Sequence, residues 1–210
     1  AHAAVVSVFV GAGSAHETPA NNGVSHLVEH AVLAGSERYP TRESFQEAVD
    51  ETGGVLEALT HKEYTEYSFQ CFPDAEERAM DLLADALVRP GFAEQQVEAE
   101  RQIVLEEMLS EQYEGGGDPF SDLLWGSDSL GLPIIGRRET VESMKIEVMR
   151  DYHRRTYPAQ NMVVAVAGPV APEQVARGLE AFRGISPRGS TPEPERKPPE
   201  PGPIYAFERR

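Results

Sequence analysis

Two histidines and a glutamate stand within five residues of one another, at His26, Glu29 and His30. If this segment is helical, the histidines lie on one face, one turn apart, with Cβ atoms about 5–6 Å from each other. Two imidazoles at that separation can occupy two corners of a tetrahedral zinc site. Glu29 borders the same face, where a carboxylate can take the proton of a water that zinc activates. The pentad follows the inverzincin pattern H-x-x-E-H, although two surface histidines and a glutamate on an ordinary helix would show the same letters.

A zinc site in a hydrolase needs a further protein ligand, which is typically a carboxylate when two histidines are already present. A long predicted helix at about 93–114 carries seven glutamates and one arginine, a composition that a solvated acidic helix would also have. Within it, the apolar run Ile103-Val104-Leu105 is followed directly by Glu106 and Glu107, so one of these two carboxylates can point inward. The residues themselves leave open which one does so.

The overall composition predicts a globular protein without a membrane span. The 210 residues are 40% hydrophobic and 26% charged, which is enough for one large domain or two small ones. No run of about 18 apolar residues occurs and no signal-peptide pattern opens the sequence, so we expect a cytoplasmic location. The net charge of −16 argues against nucleic acid as a partner; it is compatible with cationic peptide substrates, although an acidic surface also simply aids solubility. The single Cys71 excludes an internal disulfide and a multi-cysteine metal site.

Hydrophobic periodicity and turn residues predict an α+β fold with a mostly antiparallel sheet and helices packed on one of its faces. We expect 161–167 to be a buried strand, and Asn21 or Asn22 to cap the motif helix. The predicted strands are 3–10, 55–61, 64–72 and 161–167, and the predicted helices are 23–34, 41–52, 73–88, 93–114, 119–125, 140–157 and 172–182.

Prolines dominate from Ile185 to Pro203, which predicts an extended linker after the folded part of the chain. We therefore expect a catalytic domain at residues 1–185 and a linker at 186–210. Within that linker, Ile204–Phe207 has the composition of a last short strand.

Five blocks in order along the chain carry a family resemblance. They are G-S-A-H-E-T before the motif, G-S-E-R-Y-P after it, G-G-V-L-E-A-L-T-H-K-E-Y-T-E-Y in the paired strands, G-L-P-I-I-G, and Y-P-A-Q-N-M-V-V-A-V-A-G. With these blocks the chain resembles the pitrilysin family of zinc peptidases, which includes insulin-degrading enzyme and mitochondrial processing peptidase. The resemblance implies a metallohydrolase domain that holds one Zn²⁺ and hydrolyses peptides or unfolded segments inside a clam-like chamber.

The resemblance also implies roles for two glutamates of the long helix. In the family a glutamate ligand follows the motif some 76 residues later, and Glu107 stands at that distance from His30, whereas Glu106 does not. An acidic residue precedes the ligand by seven positions in the family, which corresponds here to Glu100. The implied zinc ligands are thus His26, His30 and Glu107, with Glu100 as an auxiliary acid that orients a histidine.

The resemblance places substrate along the strand through Ala58, which an extended peptide would join as an additional strand. The family usually has asparagine where this chain has Glu57, and a carboxylate cannot donate to a peptide carbonyl. We therefore expect an altered binding detail that favours basic substrates. His61 closes the same strand and is a further candidate for substrate contact.

The family's active unit is a pair of homologous domains, of which the second supplies substrate-binding arginine and tyrosine residues. This chain has the length of one such domain, so the resemblance implies that a second copy, a different subunit or a further part of the gene completes the chamber. Two alternatives remain: a non-catalytic structural subunit of the same family, and a protease that matures one dedicated peptide precursor.

Overall fold

The computed structural model describes residues 3–113, 121, 124–126, 128–187 and 189. These residues form seven α-helices and a four-stranded antiparallel sheet, which confirms the predicted α+β class. The elements in chain order are β1 (Ala4–Val10), α1 (Val24–Leu33), α2 (Arg42–Asp50), β2 (Val55–Thr60), β3 (Thr65–Cys71), α3 (Glu76–Val88), α4 (Glu94–Tyr113), α5 (Arg138–Ser143), α6 (Ile146–Thr156), β4 (Met162–Ala167) and α7 (Pro172–Leu179).

The sheet has the strand order β2-β3-β1-β4, and its helices cover one face. Side chains that alternate toward the helices, such as Val6, Val8 and Phe69, are fully buried, whereas Val163 and Leu59 on the other face are exposed. This alternation is typical of an antiparallel sheet with one covered face. The expectation of a buried strand at 161–167 is therefore wrong, because every second side chain of β4 lies on the open face.

A buried carboxylate, rather than an asparagine, caps the helix that carries the two histidines. The N-cap residue of α1 is Gly23, with φ of 95° and no side-chain hydrogen bond, so the expected cap by Asn21 or Asn22 is wrong. Glu17 instead accepts from the backbone N–H groups of Gly23 at 2.7 Å and Ser25 at 2.8 Å. Its carboxyl oxygens accept from donors that the first turn of a helix leaves free, at the positive end of the helix dipole.

A loop more than 100 residues later fixes the same helix start. Asn22 donates its side-chain amide to the carbonyl of Pro133 at 2.9 Å, and Thr140 donates its hydroxyl to the carbonyl of Asn22 at 2.7 Å. Gly136 approaches Gly23 so closely that a Cβ on Gly136 would meet the Gly23 Cα at 2.6 Å. The blocks G-S-A-H-E-T and G-L-P-I-I-G therefore meet at the beginning of α1 and set its position.

The single helix expected at 140–157 is two helices, α5 and α6, with an extended backbone at Met144 between them. The side chain of Arg101, on α4, donates to the carbonyl of Val141 and, at 2.7 Å, to that of Met144. These acceptors lie at the end of α5, and the arginine provides the partners that a continuous helix would have supplied. Hydrophobic periodicity gives no indication of such a break, because the apolar stripe continues across it.

The proposed linker falls largely outside the described residues, as do the possible strand Ile204–Phe207 and most of the helix expected at 119–125. The boundary at residue 185 therefore stays a prediction. In the described part of the chain, none of the helices combines the length and the apolar character that crossing a membrane would require.

Replacing Glu17 by alanine should destabilise the fold, because it leaves two backbone donors and the Asn22 amide without their buried acceptor. We expect a loss of about 1–3 kcal/mol in the free energy of unfolding, measured by urea denaturation. Glu47→Ala, at an exposed position of α2, is the control and should change stability by less than about 0.5 kcal/mol. Equal effects of the two variants would contradict a capping role for Glu17.

Candidate metal centre

The two histidines of α1 and one glutamate of α4 converge on a common point. The rings of His26 and His30 lie 4.7 Å apart, edge to face. The Nε2 atoms of both rings lie 3.7 Å from the same oxygen, Oε2 of Glu107. A tetrahedral zinc ion with bonds of about 2.0–2.1 Å separates its ligands by about 3.3–3.4 Å. The two nitrogen-to-oxygen distances are thus a few tenths of an ångström longer than in a zinc site, and nitrogen and oxygen donors fit the preferences of that metal.

The structure distinguishes the two neighbouring glutamates of α4. Glu106 is exposed, whereas the Glu107 side chain is 42% exposed and directs one oxygen toward the histidines. Because successive residues of a helix point about 100° apart, only one of the two can face α1. The spacing derived from the family resemblance and the side-chain geometry favour the same residue, Glu107.

Glu29 lies beside the two imidazoles in a nearly buried position. One carboxylate oxygen of Glu29 and one ring nitrogen each of His26 and His30 all lie within 4.8 Å of one another. The hydroxyl of Thr60, the last residue of β2, donates to Oε2 of Glu29 at 2.6 Å. Sequence reasoning missed Thr60, whose role depends on β2 lying against α1.

Glu100 lies on α4 behind the histidines, as the family resemblance implied. Its Oε2 accepts a hydrogen bond from Nδ1 of His30 at 3.0 Å, so the proton on Nδ1 leaves the lone pair of Nε2 free for a metal. His26 differs, because its Nδ1 is buried and has no acceptor among the described residues. Nη1 of Arg42 contacts both oxygens of Glu100, at 2.5 and 2.7 Å. Sequence reasoning did not single out Arg42, which is one of several arginines near the motif.

Burial and charge set the protonation of this cluster. Burial, together with the nearby His30, lowers the pKa of His26 to about 3, so its ring is neutral and can bind a metal at neutral pH. Burial would lower the pKa of His30 as well, but its hydrogen bond to Glu100 and the charges of Glu29 and Glu107 raise it above the ordinary value. Burial raises the pKa of Glu29, which suits a group that must accept and release a proton. Three carboxylates around two imidazoles make the centre attractive to a cation.

The candidate substrate residues lie on β2, at the edge of the sheet. The N–H of His61 donates to the carbonyl of Tyr64 at 2.8 Å, so these two residues form a hydrogen-bonded pair. In an antiparallel ladder such pairs alternate with pairs whose backbone groups point away from the partner strand. The backbone groups of Leu56, Ala58 and Thr60 therefore point to the side of β2 that has no neighbouring strand among the described residues. The side chain of Glu57 points to the open sheet face, opposite to that of Thr60. His61 stacks its ring on Tyr64 at 4.3 Å, and it does not belong to the group of described residues, His26, Glu29 and His30, that could hold a metal ion together.

Residues 1–115, which contain all of these groups, match the profile of the family described as Insulinase (Peptidase family M16). The chain belongs to the M16 peptidase family. The resemblance stated from the five sequence blocks is thereby confirmed. Among curated M16-type relatives, it is 36% identical over 171 residues to "Uncharacterized zinc protease YmxG" of Bacillus subtilis (strain 168), a match that covers 79% of this chain and 41% of the relative.

A second relative is the mitochondrial-processing peptidase subunit beta of Dictyostelium discoideum, which is 31% identical over 186 residues. That match covers 87% of this M16 chain and 40% of the relative. The chain thus spans about two fifths of the length of the curated relatives it matches.

Solved structures show the shared M16 fold. Pitrilysin superposes with a TM-score of 0.82 at 24% identity, covering 95% of this chain and 22% of pitrilysin. A peptidase M16 inactive domain from Pseudomonas fluorescens superposes with a TM-score of 0.79 at 16% identity, covering 92% of this chain and 48% of that one. Since an inactive domain has the same fold, the architecture alone does not decide catalysis, which depends on the side chains of the centre.

Glu107→Gln should weaken zinc binding by more than the roughly 10–100-fold that the loss of a supporting group costs, because it removes the negative charge of a ligand. The measurement is the dissociation constant for zinc, obtained by competition with a chromophoric chelator. Glu106→Gln makes the same chemical change one residue earlier, on the exposed side of α4, and should bind zinc as the parent does. The reverse pattern would assign the ligand to Glu106.

Proposed function

We propose that this chain is the catalytic domain of a zinc-dependent endopeptidase that hydrolyses peptides or unfolded polypeptide segments. The observation that carries the proposal is the single carboxylate oxygen of Glu107 at 3.7 Å from both Nε2 atoms, with the carboxylate of Glu29 beside them. Relatives named zinc proteases support it at the level of the family. A homologue that does not hydrolyse peptides would have no need of a general base beside a set of metal-binding side chains.

In the proposed mechanism His26, His30 and Glu107 hold the zinc ion. When bound, zinc lowers the pKa of water toward 7 and polarises a carbonyl group. Glu29 takes the proton of the attacking water and returns it to the leaving amine. The hydrogen bond from the Thr60 hydroxyl holds the Glu29 carboxylate in place for both transfers. Glu100 keeps the His30 ring oriented through Nδ1.

The free edge of β2 gives the substrate a defined place. Leu56 and Ala58 present outward N–H and C=O groups with which an extended peptide can pair as an additional strand. At the next outward position, Thr60, the side-chain hydroxyl donates to the carboxylate of Glu29. A peptide paired with Ala58 therefore continues about 6–7 Å farther to the base and the metal ligands, two residues along the strand.

Glu57 then meets the substrate on the open face of the sheet. A substrate residue opposite Glu57 occupies a pair without backbone hydrogen bonds, where cross-strand side chains come closest. Glu57 lines a shallow cavity of about 510 Å³ together with Leu59, Glu66 and Ser68, so a second carboxylate is near. Opposite charges in such pairs attract and like charges repel. This arrangement supports a preference for lysine or arginine at that substrate position.

The chamber requires a second half that this chain does not provide. Because the chain spans about two fifths of its curated relatives, the other half is proposed to be a homologous domain from further residues of the same protein, a second copy or a different subunit. The Dictyostelium relative carries the word subunit in its name, which supports an assembly of chains in the family. The mass of the native assembly separates these three arrangements.

The second candidate function is a non-catalytic structural subunit, because an inactive M16 domain shares the fold. It predicts a purified protein that binds no zinc and cleaves no peptide. A protease that matures one dedicated precursor shares the centre described here, and differs from a general peptidase only in hydrolysing one peptide among many. Metal analysis followed by digestion of a peptide library separates all three.

Glu29→Gln in the full-length protein should retain zinc and lose at least about 100-fold in kcat, because the amide cannot accept the proton of water. Zinc content and hydrolysis of a quenched fluorescent peptide are measured on the same sample. Glu51→Gln, the same change at an exposed position after α2, is the matched control and should leave both unchanged. Full activity of Glu29→Gln would show that Glu29 is not the base.

Glu57→Gln should lower kcat/KM by up to about fivefold for a peptide with arginine at the position opposite residue 57, because it removes one member of a cross-strand ion pair. The same peptide with norleucine at that position should be cleaved equally by parent and variant. The position is found by comparing peptides in which arginine is moved one residue at a time. An equal loss for both peptides would mean that Glu57 supports the fold rather than selecting substrate.

A further inference from the structure

A surface arginine reaches a buried carboxylate behind the metal centre. Arg42 is the first residue of α2, and its side chain is 52% exposed, whereas that of Glu100 is 3% exposed. One terminal nitrogen of the guanidinium lies 2.5 Å from Oε1 and 2.7 Å from Oε2 of the glutamate. The cation therefore holds the carboxylate from the solvent side.

The other side of the same carboxylate faces His30. Oε2 of Glu100 accepts the hydrogen bond of the His30 Nδ1 at 3.0 Å, so the two contacts form a continuous path from Arg42 to an imidazole of the centre. The three residues lie on three helices, α2, α4 and α1, and are separated by 58 and 70 positions in the sequence. A displacement of α2 or α4 would break the path without touching His30 itself.

We propose that Arg42 is a positioning residue that sets the zinc affinity of the centre by holding Glu100 against His30. The inference rests on the proposed zinc site. A buried carboxylate that loses one charge partner becomes costly to keep in place, so it turns toward solvent. It then no longer fixes the tautomer and the direction of the His30 ring, which supporting carboxylates normally do for metal-bound histidines.

The neighbouring arginine shows what an ion pair without this role looks like. Arg38 has a similarly exposed side chain, and it contacts the partly exposed Asp81 at 2.6 Å and the buried Asp85 at 3.7 Å. Exposed pairs such as that with Asp81 contribute little. Arg42 differs in that its carboxylate partner, Glu100, hydrogen-bonds to His30, a histidine of the metal centre.

The test measures the zinc dissociation constant of the full-length protein by competition with a chromophoric chelator, and the urea midpoint of the metal-free form in parallel. Arg42→Gln should weaken zinc binding by about tenfold, the lower end of the effect of a supporting group. Arg42→Lys should restore part of the affinity, because an ammonium keeps the charge but not the planar geometry. Arg38→Gln is the matched control and should bind zinc as the parent does.

A double substitution decides how Arg42 acts. Glu100→Gln should also weaken zinc binding, and Arg42→Gln should add less than a twofold loss in the Glu100→Gln background, because its effect passes through that carboxylate. Losses that multiply, or an unchanged dissociation constant in Arg42→Gln, would overturn the role of Arg42 while leaving the metal centre intact. A parent protein that binds no zinc would overturn the centre itself, and this role with it.

Discussion

The contact between α1 and α4 decides whether this chain has a metal centre, because each helix holds only part of the donor set. α1 supplies the imidazoles and α4 supplies the carboxylate of Glu107, and the three atoms meet only at one separation and one rotation of the two helices. Several long-range contacts define that arrangement. Glu17 and the loop around Gly136 hold the beginning of α1, and Arg101 ties α4 to the junction of α5 and α6.

Electrostatics within the centre follow from the same packing. Burial keeps His26 neutral, while the carboxylates around His30 favour a positive charge at that ring. A metal cation bound between the two rings would offset the same excess of negative charge that a proton on His30 offsets when no metal is bound. Glu100 is protected from this competition, since its hydrogen bonds to His30 and Arg42 outweigh burial and keep its pKa below the ordinary value.

The sheet places the free edge of β2, where we propose that substrate binds, beside this centre. In that proposal the outward backbone groups of β2 pair with any extended peptide, whereas Glu57 on the open face distinguishes side chains. Thr60 joins the two functions, because it ends the edge strand and also holds the proposed base. Nothing in its sequence neighbourhood distinguishes this threonine from Thr65, which instead binds the carbonyl of Ala12.

By itself the sequence determined the local features: the helical period that places His26 and His30 one turn apart, the alternation of the paired strands and the family. It could not foresee the cap of α1 by Glu17, the break between α5 and α6, or the contacts of Arg42 and Thr60. The family spacing favoured Glu107 over Glu106, whereas the residues alone left the choice open until the packed helices showed Glu107 directed toward the histidines. The physical reason is the distance along the sequence over which each interaction acts. Periodicity and capping act over a few residues, whereas a buried charge or a carbonyl at a helix end pairs with any group that the packed elements bring within hydrogen-bond distance.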